Sequence, residues 1–594
     1  MTRLEDTAAW QLKSSSLFHT LAEADLADLT PPPETILLQA GEVLMRQGDL
    51  GTDYFHLVSG QLRIFIDGKD GEPVRVREVN PGGGVGEMSL VTGDPRSATV
   101  TARVDSKLIR VSQAALLKMI ERHPAAAIEI ARIVIQRLGS KPHGPTYKRI
   151  AILPLQRGID TGSLARNLAQ ALERFGISRA IDSRSEAPDR YDPLADVAYA
   201  VYDGGHETNG WSKHCFLHAD LVLFAARAGT NPDSELTQHM TVAAETDPRL
   251  RGRTDLLMVH PSAWDRKSET GPWIRETTPC ERHHLRLGNS ADMARLARVV
   301  AGRAVNVVLS GGGARSFAEF GVLQAFRDAG LPVDRLVGCS MGAFVGATYA
   351  YDGAFDTLIA LARQSFRKRN PIWDFTLPIH SFLRGNRLLK VATDVCGDWR
   401  LENLPIGMFC LSSDLGNAEV VIHDEGPVWT ALRATAAMPV LGPPLLLNGR
   451  VLIDGGALNN MPVDIMRERH SGPVIAVNVS NDRAVRMDPR WELQCPSGFE
   501  ILRNRLNPFE RRAKIPGIFE ILYHTMNLAT QARFRQTCDK ADWLIEPPVE
   551  EFGVVDFGAF DKLVESAYHH TKLLLEEMKA NPGLAESRGL GGLF

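Results

Sequence analysis

The chain has 594 residues, 44% of them hydrophobic and 23% charged, with a formal net charge of −4 at pH 7. That length exceeds what one hydrophobic core can organise and predicts roughly three or four domains. The near balance of acidic and basic residues excludes a surface built to bind a polyanion such as nucleic acid. Seven cysteines without a C-x-x-C pair predict free thiols in a reducing, cytoplasmic compartment. The charged start Met1–Asp6 lacks the apolar stretch of a signal peptide, and no run of about 18 apolar residues offers a spanning helix. Any membrane contact is therefore expected to be peripheral, on the inner face.

Residues 14–140 read as short strands separated by glycines. The runs are Thr35–Leu38, Tyr54–Val58, Gln61–Ile66 and Leu108–Val111, with Gly41, Gly48 and Gly60 marking turns. An amphipathic helix is expected near Ala125–Leu138. Val85-Gly86-Glu87-Met88-Ser89-Leu90 and Gly93-Asp94-Pro95-Arg96-Ser97-Ala98 place Glu87 and Arg96 nine positions apart. This pattern resembles the phosphate-binding cassette of cyclic nucleotide-binding domains, a β-barrel-like fold. The resemblance implies a cyclic mononucleotide, cAMP or cGMP, at Gly86, Glu87, Arg96 and Ser97. A guanidinium suits the exocyclic phosphate charge, and a carboxylate can accept from the ribose 2′-OH. The competing reading is a domain that keeps the fold without the ligand.

Beyond the breaker-rich Lys141–Pro145, residues 146–300 read as a small α/β domain. Strands are expected at Arg149–Leu153, Ala219–Phe224 and Asp255–Val259, and a helix over Ser163–Phe175 with Leu164, Leu168, Leu172 and Phe175 on one face. His214, Cys215 and His218 lack the second ligand pair of a metal site, so packing and surface roles are expected. His283–Arg286 and the helix of Met293–Arg303 lead into the next domain. No chemistry is assigned here.

Residues 303–575 carry the chemistry. Ala304–Leu309 reads as a buried strand, followed by Gly311-Gly312-Gly313-Ala314-Arg315 and a helix over Phe317–Ala329. A glycine loop between strand and helix exposes backbone N–H groups that stabilise an oxyanion. No Gly-Lys-Ser/Thr follows, so it is not a P-loop. One β-α unit later comes Gly338-Cys339-Ser340-Met341-Gly342, between the expected strand Val333–Val337 and the helix Met341–Ala350. Glycines beside a serine at a strand-to-helix turn lift its hydroxyl clear of the backbone. The Gly311–Arg315 loop is thus expected to supply oxyanion donors facing Ser340. For the base, His470, His524, His569 and His570 lack a loop context, whereas Asp454-Gly455-Gly456 closes the expected strand Arg450–Ile453. A desolvated carboxylate can itself take the serine proton.

In this order the three elements resemble the patatin-like phospholipase family, supported by Gly321-Val322-Leu323, Asp374–Pro378, Ala434–Pro439 and Asn459–Pro462. With the upstream cassette, the chain resembles the neuropathy target esterase-like subgroup. The resemblance implies an α/β hydrolase domain on a mostly parallel sheet, cleaving phospholipid or lysophospholipid esters without a catalytic cofactor. It implies Ser340 as nucleophile, Asp454 as base, the Gly312 and Gly313 amides as oxyanion hole, and Arg315 as a brace of that loop or a contact to an anionic head. Two positions depart from the family pattern: Ser316 stands where glycine is usual, and Glu319 where histidine is frequent. A serine forced to φ > 0 would distort the oxyanion loop. The rival function is a cyclic-nucleotide sensor or interaction protein with a weakly active hydrolase domain. Basic and aromatic residues between Arg363 and Arg387 suggest a face for an anionic bilayer, and residues 576–594 a flexible tail.

Overall fold

The computed structural model describes residues 29–122 apart from 52, 68–72, 80, 88 and 90–92, then 147–182, 197–205, 210–232, 253–264, 269–352, 354–480, 497–506 and 537–593, with 11, 12, 26, 521, 522, 525 and 534 besides. The expected helix near Ala125–Leu138, the Lys141–Pro145 linker, His524, and Met88 and Leu90 of the cassette lie outside the described residues. The chain divides into two compact units: residues 1–151, 207–222 and 238–253, and residues 152–206, 223–237 and 254–594. Among the described residues every cysteine is a free thiol.

In the first unit, β1 (Glu34–Leu38), β2 (Val43–Met45), β3 (Tyr54–Asp67), β4 (Pro73–Val79), β5 (Gly84–Val85) and β6 (Thr99–Val111) form an antiparallel sheet. The order is β1-β6-β3-β4, with β2 on β6 and β5 on β3; closure into a barrel is not among the described pairings. Leu57, Leu62, Val100, Ala102 and Leu108 build its core. Gly60, expected as a turn, instead sits inside the single strand β3, where the register against β6 slips on both sides of it. Its φ of +95° and a Cβ position only 2.6 Å from Asp105 O admit glycine alone. It is a bulge that bends one long strand, so the two expected strands are one.

The central sheet contains β7 (Arg149–Pro154), β8 (Ser178–Ile181), β9 (Tyr199–Asp203), β10 (Leu221–Arg227), β11 (Arg253–His260) and β12 (Arg282–Arg286), in the order 12-11-10-7-9-8. Helix α1 (Thr161–Leu172) follows β7, its first turn capped by Asp160, which accepts from Ser163 N at 2.9 Å. Leu164, Leu168 and Leu172 are buried along its inner face. His283–Arg286 is the edge strand β12 and not a mere lead-in, and α2 (Ser290–Val300) follows it.

The largest sheet runs β17-β18-β15-β14-β13-β19-β20, with β16 on β15. Its strands are β13 (Asn306–Leu309), β14 (Arg335–Cys339), β15 (Gly407–Asp414), β16 (Glu419–His423), β17 (Leu445–Leu447), β18 (Arg450–Asp454), β19 (Val474–Val477) and β20 (Trp543–Ile545). β13, β14, β15, β19 and β20 are parallel, and β16, β17 and β18 supply the antiparallel edge. The unbroken apolar runs of β13 and β19 fit this centre, because a parallel strand is covered on both faces. The chain leaves β13 toward β14 and returns to its other side as β19. That reversal opens a crevice at the carboxyl end of β13, where ligands of such sheets bind.

β14 begins two residues later than expected because Asp334 has another task. Its carboxylate takes a bidentate ion pair from Arg298 of α2 at 2.7 and 2.8 Å and accepts from Val305 N at 2.8 Å. Helices α3 (Phe317–Ala329) and α4 (Met341–Ala350) occupy their expected spans. Phe317 packs at 4.9 Å from Phe366 of α5 (Phe355–Lys368) and 4.5 Å from Phe560. The expected flexible tail is corrected: residues 576–594 include the end of α7 (Phe560–Ala580), all of α8 (Pro582–Ser587), and Met578, Ala585 and Leu590 buried in the core. Helix α6 (Val428–Thr435) packs against β15 and β18.

Candidate active site

β14 delivers Ser340 to a sharp turn, at φ 51° and ψ −124°, before α4 begins. A side chain at Gly342 would stand 2.6 Å from Ser310 O, so glycine there lets α4 start against β13. Asp454 ends β18, two strands away, and Ser412 of the intervening β15 lies opposite it. The two side chains meet: Ser340 Oγ donates to Asp454 Oδ2 at 2.7 Å. The other carboxylate oxygen accepts from Gly456 N at 2.8 Å and from the Cys339 thiol at 3.9 Å. Burial raises Asp454 to about 6, against the opposing pull of the Ser340, Gly456 and Cys339 bonds. A carboxylate so poised is ionised at neutral pH and more basic than a solvated one.

Of the glycine loop, only part can face an oxyanion. The Gly311 amide donates to Asn460 Oδ1 at 3.1 Å, that of Ala314 to Val554 O at 2.8 Å, and that of Arg315 to Gly312 O at 3.2 Å. These three amides, expected among the donors, are occupied. The Gly312 and Gly313 amides have no acceptor among the described residues. Gly313 holds φ +58°, and a Cβ there would lie 2.2 Å from Val554 O. The amide of Ser340 is also taken, by Thr435 Oγ1 at 2.9 Å. Arg315 Nε donates to Phe552 O at 2.7 Å and is buried, so it braces the loop. Ser316 has φ −63° and ψ −10°, a helical conformation that carries no penalty for a side chain. Glu319 is wholly buried in α3, and burial holds its carboxyl well above the ordinary range.

Two positioning residues escaped sequence reasoning. Asn460 clamps Gly311 from both sides, accepting from its N and donating to its O at 3.0 Å. Thr435 fixes the Ser340 amide. Both stood in stretches quoted only for their resemblance, Asn459–Pro462 and Ala434–Pro439.

Ser340, Asp454, Gly312 and Gly313 line a pocket of about 1000 Å³, its opening to solvent included, whose other walls are chiefly apolar, among them Ile372, Leu383, Leu388, Met438 and Phe557. A second pocket, of about 320 Å³ with its opening to solvent included and lined by Phe344, Leu389, Trp429 and Leu432, also reaches Ser340. No histidine stands among the described residues lining either. The arrangement offers a hydroxyl beside a base, two free amides and room for a long apolar chain, which suits acyl transfer.

The other expected sites differ in how far they assemble. Arg96 donates to Gly86 O at 3.2 Å and Asp53 O at 3.0 Å, and it is buried. Glu87 is buried nearby in sequence, while Ser97 is exposed. The His214 and His218 rings lie tilted by 31° with centres 4.2 Å apart, and burial lowers His218 to about 4. The potential ligand atoms that do converge are those of Asp255, Glu281 and His283, within 4.8 Å of one another, but Glu281 is already paired with Arg335. The basic and aromatic face expected between Arg363 and Arg387 is only partly free. Arg363 and Arg367 pair with Asp561, Arg369 pairs with Asp394, and Phe366 is buried. What stands out instead is an apolar strip, with Trp373 65%, Phe375 57%, Leu377 74% and Ile379 81% exposed. It adjoins the cavity-lining residues Pro371, Ile372 and Leu383. No described helix is long and apolar enough to cross a membrane.

Three families match the chain in order. Residues 35–123 match the cyclic nucleotide-binding domain, residues 196–307 the neuropathy target esterase family P-loop like domain, and residues 307–467 the patatin-like phospholipase family. The resemblance expected from the sequence thus holds over successive stretches. Among curated proteins, the lysophospholipase nte1 of Aspergillus terreus is 24% identical over 92% of this chain and 42% of its own length. The lysophospholipase NTE1 of Candida albicans is 26% identical over 93% of this chain and 47% of its own. The chain therefore spans less than half the length of these relatives. Among solved structures, the Thermus thermophilus catabolite activator protein is similar at 28% identity over 27% of this chain and 70% of that one, with a TM-score of 0.21.

Proposed function

We propose that the chain is a lipid-ester hydrolase of the phospholipase or lysophospholipase type, working through a Ser340–Asp454 dyad and an acyl-enzyme. The observation that carries this reading is the 2.7 Å bond from Ser340 Oγ to Asp454 Oδ2 at the floor of an apolar cavity. Asp454 takes the hydroxyl proton as Ser340 attacks the ester carbonyl. The developing oxyanion falls to the Gly312 and Gly313 amides, which need not reorganise to receive it. The proton then passes to the leaving alkoxide; water, deprotonated by Asp454, attacks the acyl carbonyl, and the fatty acid leaves as Ser340 Oγ takes that proton back from Asp454. The names of the curated relatives support the substrate class. A fluorophosphonate that labels the protein but not Ser340→Ala, with ester turnover lost in that variant, is the expected result; labelling at another serine overturns it.

The same reading places the enzyme at the cytoplasmic face of a membrane, where such lipids reside. Trp373, Phe375, Leu377 and Ile379 present the apolar strip that a bilayer surface would cover beside the cavity mouth. Flotation with anionic liposomes, lost in Trp373→Ser/Leu377→Ser, is the test; unchanged flotation removes the contact. The cassette around Gly86, Glu87, Arg96 and Ser97 is read as a site for a cyclic mononucleotide, cAMP or cGMP, that regulates the hydrolase. The match of residues 35–123 supports the ligand class.

A further inference from the structure

One cation stands in the wall of both cavities that meet at Ser340. Arg433 lines each, and no other lysine or arginine among the described residues does so. It rides on α6 two residues before Thr435, which holds the Ser340 amide, so a single helix sets the nucleophile and aims the charge. Arginine has five N–H donors, and one hydrogen bond of Arg433 is seen, from Nη1 to Pro443 O at 2.9 Å. No carboxylate among the described residues lies within ion-pair distance, unlike the paired arginines at 298, 335, 363 and 367. Among the described residues the one carboxylate on the cavity wall is Asp454, committed to Ser340 and Gly456. A half-buried guanidinium without a counter-charge is costly, and burial accordingly depresses its proton affinity. A substrate anion would remove that cost on binding.

We propose that Arg433 forms an oxyanion subsite that reads the phosphodiester of the lipid substrate while the acyl chain fills the apolar cavity. This rests on the hydrolase reading above and names what that site recognises beyond an ester. A planar guanidinium can meet two oxygens of a phosphate or of a carboxylate at once, and of the two the phosphodiester is the anion that the lipid substrate itself carries. The apolar walls leave such a head no competing charged partner, apart from Asp454, which would repel it. A neutral lipid ester would leave the cation unpaired, so the subsite discriminates between substrates as well as binding them. The rival role for Arg433 is purely structural, as a brace of the Pro443 segment.

The test uses ether lipids, which bind without being cleaved. Calorimetry on the full chain compares 1-O-hexadecyl-lysophosphatidylcholine with 1-O-hexadecylglycerol, which lacks the phosphate, both as monomers. Arg433→Gln is expected to weaken the phospholipid ether about 100-fold and the glycerol ether less than about threefold, with Arg433→Lys between the two. Equal weakening of both ligands, or of neither, overturns the proposal in favour of the brace. Palmitate weakened by Arg433→Gln while the phospholipid ether is spared assigns the cation to the product carboxylate and also overturns it. Inorganic phosphate that competes as well as the lipid overturns the assignment to a lipid head. Thermal midpoints within a few degrees of the parent guard against misfolding, and the conservative lysine variant keeps the test available if Arg433→Gln does not fold. Failure of the hydrolase reading shows separately, as a parent protein that turns over neither the lysophospholipid nor the monoacylglycerol ester.

Discussion

Two glycine-bearing stretches of the chain end at a buried arginine, and their arginines are engaged in different ways. At Gly311–Arg315 the arginine is spent on Phe552 O, and the amides of Gly312 and Gly313 are left to face the cavity. In the cassette, the arginine is the group expected to meet the ligand, yet Arg96 donates to the carbonyls of Gly86 and Asp53. The first arrangement is fixed before any substrate arrives, which is what a transient oxyanion requires. To bind a phosphate, the second would have to exchange bonds to neutral carbonyls for bonds to the ligand, so its net gain would be the difference between the two. Fixed dipoles suit a charge that exists only in a transition state, whereas a cation that can trade its carbonyl partners for a ligand suits a stable anion. Disturbing the first should therefore cost rate, and disturbing the second should cost only ligand response.

The largest effect is expected at Asp454, on which the fixed site depends. Asp454→Asn should lower kcat by about 10³- to 10⁴-fold, because the serine proton loses its acceptor. In the parent protein, kcat/KM should rise with pH through about 6 and level off above it, since the proposed base acts only when ionised. Stability should move the other way. A carboxyl at about 6 when folded, and near its ordinary value when unfolded, binds more protons in the folded state between those limits. Its contribution is present at low pH and is lost as pH climbs to about 6, leaving a cost on the order of 3 kcal/mol at pH 7. Asp454→Asn should thus unfold at higher denaturant than the parent at pH 7, with the difference shrinking toward pH 4. A rate profile without the rise near pH 6 would remove Asp454 as the base.

A smaller loss is expected from Asn460→Ala, which leaves both dyad members in place. Without the clamp on Gly311, the two free amides lose their aim, and kcat should fall about 100-fold with little change in KM. A change confined to KM would show that Asn460 shapes the substrate pocket instead. In the cassette, Arg96→Ala should leave basal turnover within about threefold. It should abolish the stabilisation by cyclic nucleotide, which is about 2.7 kcal/mol at a ligand concentration of 100 Kd. A parent protein whose thermal midpoint ignores both cAMP and cGMP would mean that the cassette keeps its fold without the ligand.

The contrast also explains what could be read from the chain. Ser340, its flanking glycines and the Asp454 turn are local features, because a strand-to-helix turn is written in consecutive residues. The partners that make the site rigid are not local. Asn460 reaches Gly311, Thr435 reaches the Ser340 amide, and Val554 takes the Ala314 amide, each from a remote part of the chain. Only the sheet order brings these groups together, and no spacing in the sequence encodes it. Gly60 failed for a different reason: a bulge and a turn both call for a glycine at positive φ. The C-terminal residues read as a flexible tail because their polar composition hides the spaced apolar side chains, such as Ala585 and Leu590, that dock into the core.

The smallest expected effect is at Ser316, where the family pattern and this chain part company. Its departure from glycine would matter only if the backbone needed a left-handed conformation there. The left-handed position is Gly313, at φ +58°, three residues earlier; Ser316 stands at φ −63° at the start of α3. Its hydroxyl reaches Ser310 O at 3.4 Å, a long contact that adds little. Ser316→Gly should therefore change kcat by less than about threefold and lower stability by about 0.5–1 kcal/mol, the ordinary cost of glycine in a helix. Gly313→Ala, by contrast, places a methyl against Val554 O and should reduce turnover far more. If Ser316→Gly instead raised kcat tenfold, the oxyanion loop would be strained in this chain, and its two amides would not be held ready as the comparison requires.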